Sequence, residues 1–459
     1  MSNNNHILAD EHIGRLLFKL SLPAMTGMVV QALYNVVDTI FVGRVVGPLG
    51  IAGITIVFPI QMIVMTVAIM VGVGGASIIS RALGANDLRR ANKTLGNILS
   101  IIIILGFSVA ILGNIFLKQL LFIFGTTATI LPFASDYASI ILFGTIFFSF
   151  AMTTNSIVRA EGRATIAMTT MLISAVLNII LDATFILGFH WGIKGAAWAT
   201  VLSQAVTVVY LVYYFLSGRS SLKIIPAFFR LERKLVREIM AIGSSAFVRQ
   251  VSGSLIAVIV NHSLKHYGSD LAIAVYGIIN RTTSFVFMPM FGIAQGAQPI
   301  IGYNYGARRY DKTRRVLNLA VEWTTAFSTI GFLLLMLFPR QATSLFTNSP
   351  DLIAWGTHSM RIFILMLPTL GFQVIGGTFF QSLGLARKAL YLTIARQLVV
   401  IPLILSLPPL LQLDGIWISF PIADFIFFIV TWKMYQPQIQ RLKQLSGNLK
   451  SAVAAKVSI

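Results

Sequence analysis

Residues 51–76 read IAGITIVFPIQMIVMTVAIMVGVGGA, a stretch without a charged side chain. A helix that crosses a membrane needs about 20 predominantly apolar residues, and this stretch exceeds that length. A strand of a membrane β-barrel is only about 10 residues long and alternates between apolar and polar side chains. The stretch therefore predicts a membrane-spanning α-helix.

Similar apolar stretches recur on both sides of it. The chain has 459 residues, of which 56% are hydrophobic and 11% charged, whereas a soluble domain carries about 25% charged residues. The sequence therefore predicts an all-α membrane protein with twelve transmembrane helices. The predicted spans are 16–42, 51–76, 94–117, 133–156, 166–189, 195–216, 239–263, 271–299, 315–338, 354–380, 389–411 and 416–435.

The 35 Lys and Arg residues, which give a formal net charge of +20, lie mainly between alternate spans. If the N-terminus is cytoplasmic, 26 of them fall on cytoplasmic segments and 5 on outer segments. Cytoplasmic loops carry an excess of Lys and Arg. We therefore expect a multi-pass protein of the inner (plasma) membrane with both termini in the cytoplasm, and no nucleic-acid partner.

The chain also contains an internal repeat. Gly84 matches Gly306 and Gly162 matches Gly384, both at a shift of 222, and Gly192 matches Gly415 at a shift of 223. Because the first half holds an even number of spans, the two halves run in parallel. They are predicted to form two six-helix lobes related by a pseudo-twofold axis along the membrane normal, an arrangement typical of transporters. The predicted divisions are an N-lobe (1–216), a cytoplasmic linker (217–238), a C-lobe (239–435) and a cytoplasmic tail (436–459).

Two polar stripes occur inside the predicted spans of the first half. Residues three or four positions apart share one face of a helix, and the spacing places these residues on two such faces: Gln31, Tyr34, Asn35 and Asp38 in span 1, and Ser174, Asn178 and Asp182 in span 5. Both stripes end in a carboxylate in the outer half of the membrane, which predicts one shared pocket. Asn155 and Thr200 are candidates for further polar groups of this pocket.

Carboxylates inside a membrane are costly and usually functional. A carboxyl group in a low dielectric favours its neutral form, and two of them titrate as a coupled site. The pair formed by Asp38 and Asp182 could therefore carry a proton, bind Na⁺ or attract a cation. The alternative is a buried polar network that only orders the helices. Pro23 in span 1 removes a backbone hydrogen bond and permits bending, or else gives a static kink.

The spans of the second half carry four arginines and few acids. The arginines are Arg249, Arg281, Arg361 and Arg396. Arg281 and Arg361 lie on spans that run in the same direction as the span of Asp424, so we expect Asp424 to form a structural pair with one of them. A less favoured alternative is that these arginines bind an anionic group.

The sequence shows no catalytic motif: it has no Walker A, HExxH or G-x-S-x-G pattern. It has no Cys, and its six His are scattered without metal-ligand spacing. We therefore expect neither an enzyme nor a bound metal or cofactor, and an ion gradient would have to drive transport. One proton moving down about 150 mV supplies roughly 3.5 kcal/mol.

Four segments together resemble the multidrug and toxic compound extrusion (MATE) family, and are most similar to its DinF-like branch. They are LYNVVDTIFVGRVVGPLGIAGI (33–54), VGVGGASIISRALGAND (71–87), RAEGRA (159–164) and LNIILDATFILG (177–188). The resemblance implies export of organic cations and amphipathic compounds in exchange for H⁺ or Na⁺. In that branch the coupling residues lie in the N-lobe, and the matching positions here are Asp38, Asn178, Asp182 and Thr200.

The resemblance also implies that Gln31, Tyr34, Asn35 and Asn155 lie near the substrate and that Pro23 is the proline at which span 1 bends. Other branches use acids in spans 7 and 10 as a cation site. Neither span of this chain contains an acid, which favours the N-lobe site.

We therefore expect a monomeric secondary antiporter that exports drugs by alternating access. The nearest alternative is a flippase for a lipid-linked oligosaccharide or another anionic lipid, which the four arginines keep open. A membrane-embedded enzyme would need paired acids at a membrane boundary to hold Mg²⁺, and the loops carry mostly isolated acids. A channel would not require duplicated lobes.

Overall fold

The structure is a computed structural model that describes residues 7–457. Within this range, the structure does not describe the side chains of residues 35, 36, 38–40, 44, 449, 450 and 452–457. Nearly all of the described chain is helical, and it contains no strand between residues 7 and 457. In lipid, every backbone N–H and C=O must be satisfied within the chain, which a helix achieves segment by segment.

The long helices follow the apolar stretches, and several begin at residues that favour a helix start. Pro48 occupies the first turn of α2, where its missing N–H costs no hydrogen bond. Asp87 caps α3, because its carboxylate accepts from the N–H of Arg90 at 2.9 Å. The helices are α1 (Ile13–Val45), α2 (Pro48–Gly84), α3 (Leu88–Ile115), α4 (Leu117–Ile123), α5 (Leu131–Ala160), α6 (Ala164–Asp182), α7 (Gly192–Leu216), α8 (Arg233–Tyr267), α9 (Asp270–Gly306), α10 (Tyr310–Leu337), α11 (Pro339–Ser344), α12 (Pro350–Phe363), α13 (Leu367–Ser382), α14 (Ala386–Ser406) and α15 (Pro408–Val457).

The predicted fold class is confirmed. Among the described residues, eleven helices are long and apolar enough to cross a membrane, and α12 and α13 together form a twelfth span that is bent by 53°. Each coincides with one predicted span. The bend in the tenth span lies between Phe363 and Leu367. Pro368 follows in the first turn of α13, where proline cannot continue the hydrogen bonding of the preceding helix. A second interruption, at Gln412, divides α15 and has a positive φ of 50°.

The internal repeat is visible in the helix boundaries. Both ends of α2, at Pro48 and Gly84, are related to those of α9, at Asp270 and Gly306, by the shift of 222 found in the sequence. The same shift relates the first residues of α3 and α10 and of α6 and α14. Gly162 and Gly384 both have positive φ, 82° and 74°, which glycine adopts without steric cost. The repeat predicted from short sequence matches is therefore a repeat of backbone conformation.

The chain divides into two compact units, residues 26–243 and residues 1–25 with 244–459. The first unit contains α2 to α7, and one of its cores is built around Val42, Val57, Tyr137, Leu142 and Ile186. The second unit has a core around Trp417, Phe420, Met360, Ile364 and Val400. Close helix packing in this unit depends on Gly296, where a Cβ atom would lie 2.5 Å from Ser21 Oγ.

Within the first unit, the segment 217–232 is attached along α3. The side chain of Asn97 donates to the carbonyl oxygens of Phe228 and Arg230, both at 3.4 Å, and accepts from the N–H of Glu232 at 2.8 Å. Gly96 permits this approach, because a Cβ atom there would lie 2.4 Å from the carbonyl oxygen of Phe228. The segment is therefore a fixed part of the unit that contains α3.

Candidate functional site

Three of the predicted coupling residues lie together between α6 and α7. Asn178 and Asp182 are one turn apart on α6 and are almost fully buried, as is Thr200 on α7. The prediction from helical spacing placed Asn178 and Asp182 on one face. The structure adds that this face packs against α7 at Thr200.

The amide of Asn178 joins its two neighbours. In one orientation its nitrogen lies 3.4 Å from Thr200 Oγ1. In the reversed orientation the nitrogen donates to Asp182 Oδ2 at 2.8 Å, and the oxygen accepts from the Thr200 N–H at 3.2 Å. The reversed orientation suits an ionised Asp182, because a carboxylate only accepts hydrogen bonds. A protonated Asp182 could instead donate to the amide oxygen, so an amide can serve both charge states.

The backbone changes its hydrogen bonding directly after Asp182. Residues Ala183–Gly188 form a π-helical turn, in which the N–H of Phe189 donates to the carbonyl of Thr184, five residues earlier, at 2.9 Å. Such turns are rare and occur frequently at functional sites. Nothing in the apolar sequence of this span predicted the turn, since helix propensity does not distinguish an α from a π turn.

The predicted substrate-contacting residues are distributed along the same unit. Asn155 on α5 is buried, and its side-chain oxygen accepts from Thr170 Oγ1 at 2.7 Å. Thr170 was not singled out from the sequence, although it lies eight residues before Asn178 on α6. Thr170, the partner of Asn155, lies about 12 Å from Asn178 along α6, which is roughly two helical turns. Hence Asn155 is not in the cluster itself.

The remaining first-stripe residues lie on α1. Gln31 is exposed and Tyr34 is half-buried. The side chains of Asn35 and Asp38 lie outside the part of the chain that the structure describes, so their predicted roles stay predictions. Pro23 lies inside α1, ten residues after the helix begins at Ile13.

The expected partner of Asp424 was wrong. Asp424 on α15 pairs with Arg396 on α14, with Arg396 Nη2 3.0 Å from Asp424 Oδ1, and not with Arg281 or Arg361. Helices α14 and α15 pack against each other, and both residues lie near the middle of their spans. Arg249, Arg281 and Arg361 are exposed, and no carboxylate of the described residues pairs with them.

A further buried acid, Glu161, was missed by the sequence analysis. It lies in the loop between α5 and α6 and is 2% exposed. Its Oε1 accepts from Ser220 Oγ at 2.6 Å and from the N–H groups of Ser221 and Leu222 at 2.7 and 3.1 Å, while Oε2 accepts from the Tyr214 hydroxyl at 3.1 Å. Burial raises the pKa of the Glu161 carboxyl, and these hydrogen bonds oppose that rise. The sequence did contain a signal for this site, because Glu161 is the one acid in the otherwise basic loop RAEGRA (159–164).

Comparison with known proteins identifies the family. The family model MatE matches residues 23–184 and again residues 246–405. The chain belongs to the MATE family. The second match follows the first at almost the same shift as the sequence repeat, so this MATE chain carries the family pattern once in each half.

Relatives of this MATE protein match over nearly its whole length. Multidrug export protein MepA of Staphylococcus haemolyticus is 27% identical over 417 residues, which cover 90% of this chain and 91% of the relative. A crystal structure of MATE in the bent conformation is 29% identical, with a TM-score of 0.90, and the match covers 97% of this chain and 100% of that one. The predicted membership of the DinF-like branch stays a prediction.

A third relative differs in its described function. It is a MOP superfamily transporter from Pyrococcus furiosus, for which a reversed polarity of the binding pocket is described as suggesting a different function. It is 29% identical, with a TM-score of 0.88, and the match covers 96% of this chain and 99% of that one. Close structural similarity within this superfamily is thus compatible with different pockets.

Proposed function

We propose that this MATE protein is an antiporter of the inner membrane that exports cationic or amphipathic drugs by alternating access, in exchange for protons or, alternatively, Na⁺. The observation that carries the proposal is the buried carboxylate of Asp182, held by the Asn178 amide inside a membrane span. The match to a protein named for multidrug export supports the substrate class. The distribution of Lys and Arg supports an orientation with both termini in the cytoplasm.

In this proposal Asp182 and Asp38 share the coupling ion. Asp182 takes up a proton from one side of the membrane and releases it to the other. Asn178 stabilises both charge states by presenting its nitrogen to the carboxylate or its oxygen to the acid. The backbone N–H and hydroxyl of Thr200 hold the amide in place. The π turn after Asp182 provides a segment of helix whose hydrogen bonding can change as the charge changes.

The substrate would contact polar residues of the same unit. We assign Gln31, Tyr34, Asn35 and Asn155 to this role, and Pro23 to the bending of α1. The protein would act as a monomer in contact with membrane lipids. Flipping of an anionic lipid is not favoured, because the matched relative is named for drug export and one of the four membrane arginines, Arg396, is already paired with Asp424.

Transport in proteoliposomes with separately imposed gradients tests this proposal. Efflux of a cationic dye should follow either the pH gradient or the Na⁺ gradient, which identifies the ion. Asp38→Asn and Asp182→Asn should each abolish gradient-driven efflux while membrane insertion stays intact. Asp136→Asn is the matched control, because the Asp136 side chain is 45% exposed and pairs with Lys194 at 3.2 Å. Efflux that persists undiminished in Asp38→Asn or Asp182→Asn would refute the assignment.

A further inference from the structure

The ion pair between Arg396 and Asp424 is incomplete. Arg396 Nε and Nη2 lie 3.3 and 3.0 Å from the same carboxylate oxygen, Oδ1. Within the described residues, Asp424 Oδ2 and Arg396 Nη1 have no hydrogen-bond partner. A guanidinium binds a carboxylate most strongly through two parallel bonds to two oxygens. This pair therefore leaves hydrogen-bonding capacity on both members.

The two members are also unequally buried. The Asp424 side chain is 8% exposed and the Arg396 side chain 34%. An arginine in a membrane span is costly unless an anion or water accompanies it. Asp424 provides one anion, and the exposed part of the guanidinium can be reached by a second.

The internal repeat places Arg396 at an informative position. At the shift of 222, Arg396 on α14 corresponds to Ser174 on α6, the first residue of the polar stripe that ends at Asp182. The next two positions of the α14 face, Val400 and Ile404, correspond to Asn178 and Asp182 and are buried in the apolar core. Arg396 is thus the polar group that remains on the face of α14 equivalent to the coupling face of α6.

Flat aromatic surface lies beside the pair. Tyr276 on α9 packs on Phe420, which lies one helical turn before Asp424 on α15. Its ring stacks with that of Phe420 at a centroid distance of 6.3 Å, and Phe420 contacts Phe363 at 4.6 Å. Planar aromatic molecules pack favourably on such rings.

A polar group next to the pair also has unused capacity. Gln373 on α13 donates to the backbone carbonyl of Asp424 at 2.9 Å, and its buried side-chain oxygen has no partner within the described part of the chain.

We infer that the Arg396–Asp424 pair is a binding site for zwitterionic aromatic molecules. The carboxylate of such a molecule would bind Arg396 through Nη1, and its cationic part would lie beside Asp424 Oδ2, which keeps the site neutral overall. The aromatic body would pack against Tyr276. The inference rests on the proposed function of drug export, and it assigns a site within the second unit to compounds that carry both charges.

Rhodamine 110 and rhodamine 123 form a matched pair of probes. The first is a zwitterion with a free carboxylate, and the second is its methyl ester, a cation. Fluorescence anisotropy on the purified protein in nanodiscs gives the affinity for each. For the unmodified protein, we expect rhodamine 110 to bind about tenfold more tightly than rhodamine 123, the effect of one charge-assisted pair.

Arg396→Gln combined with Asp424→Asn is the decisive variant, because it removes both charges and leaves the net charge of the protein unchanged. We expect the affinity ratio to fall to about one, with rhodamine 123 binding retained. Asp424→Asn alone removes the carboxylate that competes with the ligand for Arg396, and it should raise the affinity ratio of rhodamine 110 to rhodamine 123. Arg361→Gln, at an exposed arginine, should leave the ratio unchanged. The inference is overturned if the double variant keeps the ratio of the unmodified protein, if Asp424→Asn does not raise it, or if Arg361→Gln lowers it equally.

Rhodamine 123 export in proteoliposomes separates this inference from the proposed function. If the unmodified protein exports no rhodamine 123 or other cationic dye under either gradient, the proposed export function fails, whatever the affinity ratio. If export proceeds normally and the double variant keeps the affinity ratio, only the zwitterion site fails.

Discussion

Replacement of Glu161 by alanine should release the beginning of the segment 217–232 from the unit that holds it. Glu161 Oε1 accepts three hydrogen bonds from that segment, two of them from the backbone N–H groups of Ser221 and Leu222. Alanine removes the acceptor and leaves those groups to be satisfied by water only after the segment opens. The variant therefore weakens the segment locally, whereas the membrane helices stay folded.

The size of the effect follows from the two backbone groups. Each intramolecular hydrogen bond contributes about 1–1.5 kcal/mol net, so the pair accounts for about 2–3 kcal/mol of the local opening free energy. The rate of amide exchange through local opening rises about tenfold for every 1.4 kcal/mol by which the opening free energy falls. Exchange at Ser221 and Leu222 should therefore be about 30- to 150-fold faster.

Glu161→Gln is the matched control. If the glutamine oxygen takes the position of Oε1, it accepts the same three bonds, and its NH₂ group can donate to the Tyr214 hydroxyl in place of Oε2. At a pH below the raised pKa of Glu161, this variant should therefore exchange at nearly the rate of the unmodified protein.

The pH dependence of exchange separates the loss of the hydrogen-bond acceptor from the loss of the titratable carboxyl group. Burial raises the pKa of Glu161 in the folded protein, so its protonated form is favoured by folding. The resulting stability is fully present below the pKa of an unfolded glutamate, about 4.3, and is lost as pH rises through the raised pKa. Glu161→Gln should lack this decline.

Hydrogen exchange measured by mass spectrometry on peptides that cover residues 217–224 provides the assay. Unchanged exchange in Glu161→Ala would show that the contacts of Asn97 hold the segment alone. Equally fast exchange in the Gln and Ala variants would show that the acceptor oxygens at position 161 do not hold the segment. Either result would refute the reasoning.

Two further predictions concern the coupling cluster and helix packing. Asn178→Leu leaves Asp182 without its amide partner and should lower gradient-driven efflux by about 10- to 100-fold. Thr200→Val keeps the backbone N–H that holds the amide and should lower efflux by less than about tenfold. Equal losses of efflux in the two variants would contradict the assigned geometry. Gly74→Ala would place a Cβ atom 2.0 Å from the carbonyl oxygen of Ile239, which should destabilise the protein by about 1–3 kcal/mol. The Cβ atom of Gly253→Ala meets nothing within 4 Å, so this variant should keep or raise the stability of the protein. Thermal unfolding of both variants measures the difference. A common melting temperature for these two variants would contradict the tight packing at Gly74.

The spans could be predicted because the bilayer imposes a length that apolar runs either meet or do not. The repeat could be predicted because Gly162 and Gly384 occupy backbone conformations that disfavour other residues. Helical spacing also placed Asn178 and Asp182 on one face. These are properties of single helices, which a local sequence contains.

What the sequence did not contain was the pairing between helices. Asp424 was expected beside Arg281 or Arg361, because sequence gives the depth of a residue in the membrane and not the neighbour that its face meets. Arg396 became the partner through the packing of α14 on α15. Glu161 was missed for the same reason, since its donors come from residues 53 to 61 positions away.

The repeated architecture has a consequence for how many ions one transport cycle can use. At the shifts of 222 and 223, the positions of Asp38, Asn178, Asp182 and Thr200 correspond to Val260, Val400, Ile404 and Ala423. All four belong to one buried apolar cluster. The second half therefore has no vacant copy of the coupling pocket that a single substitution could restore. An aspartate at Ile404 would bury a charge among packed methyl groups. With the proposed coupling, the ratio of ions to substrate is set by one half of a duplicated chain, and raising it by design would require rebuilding a folded core.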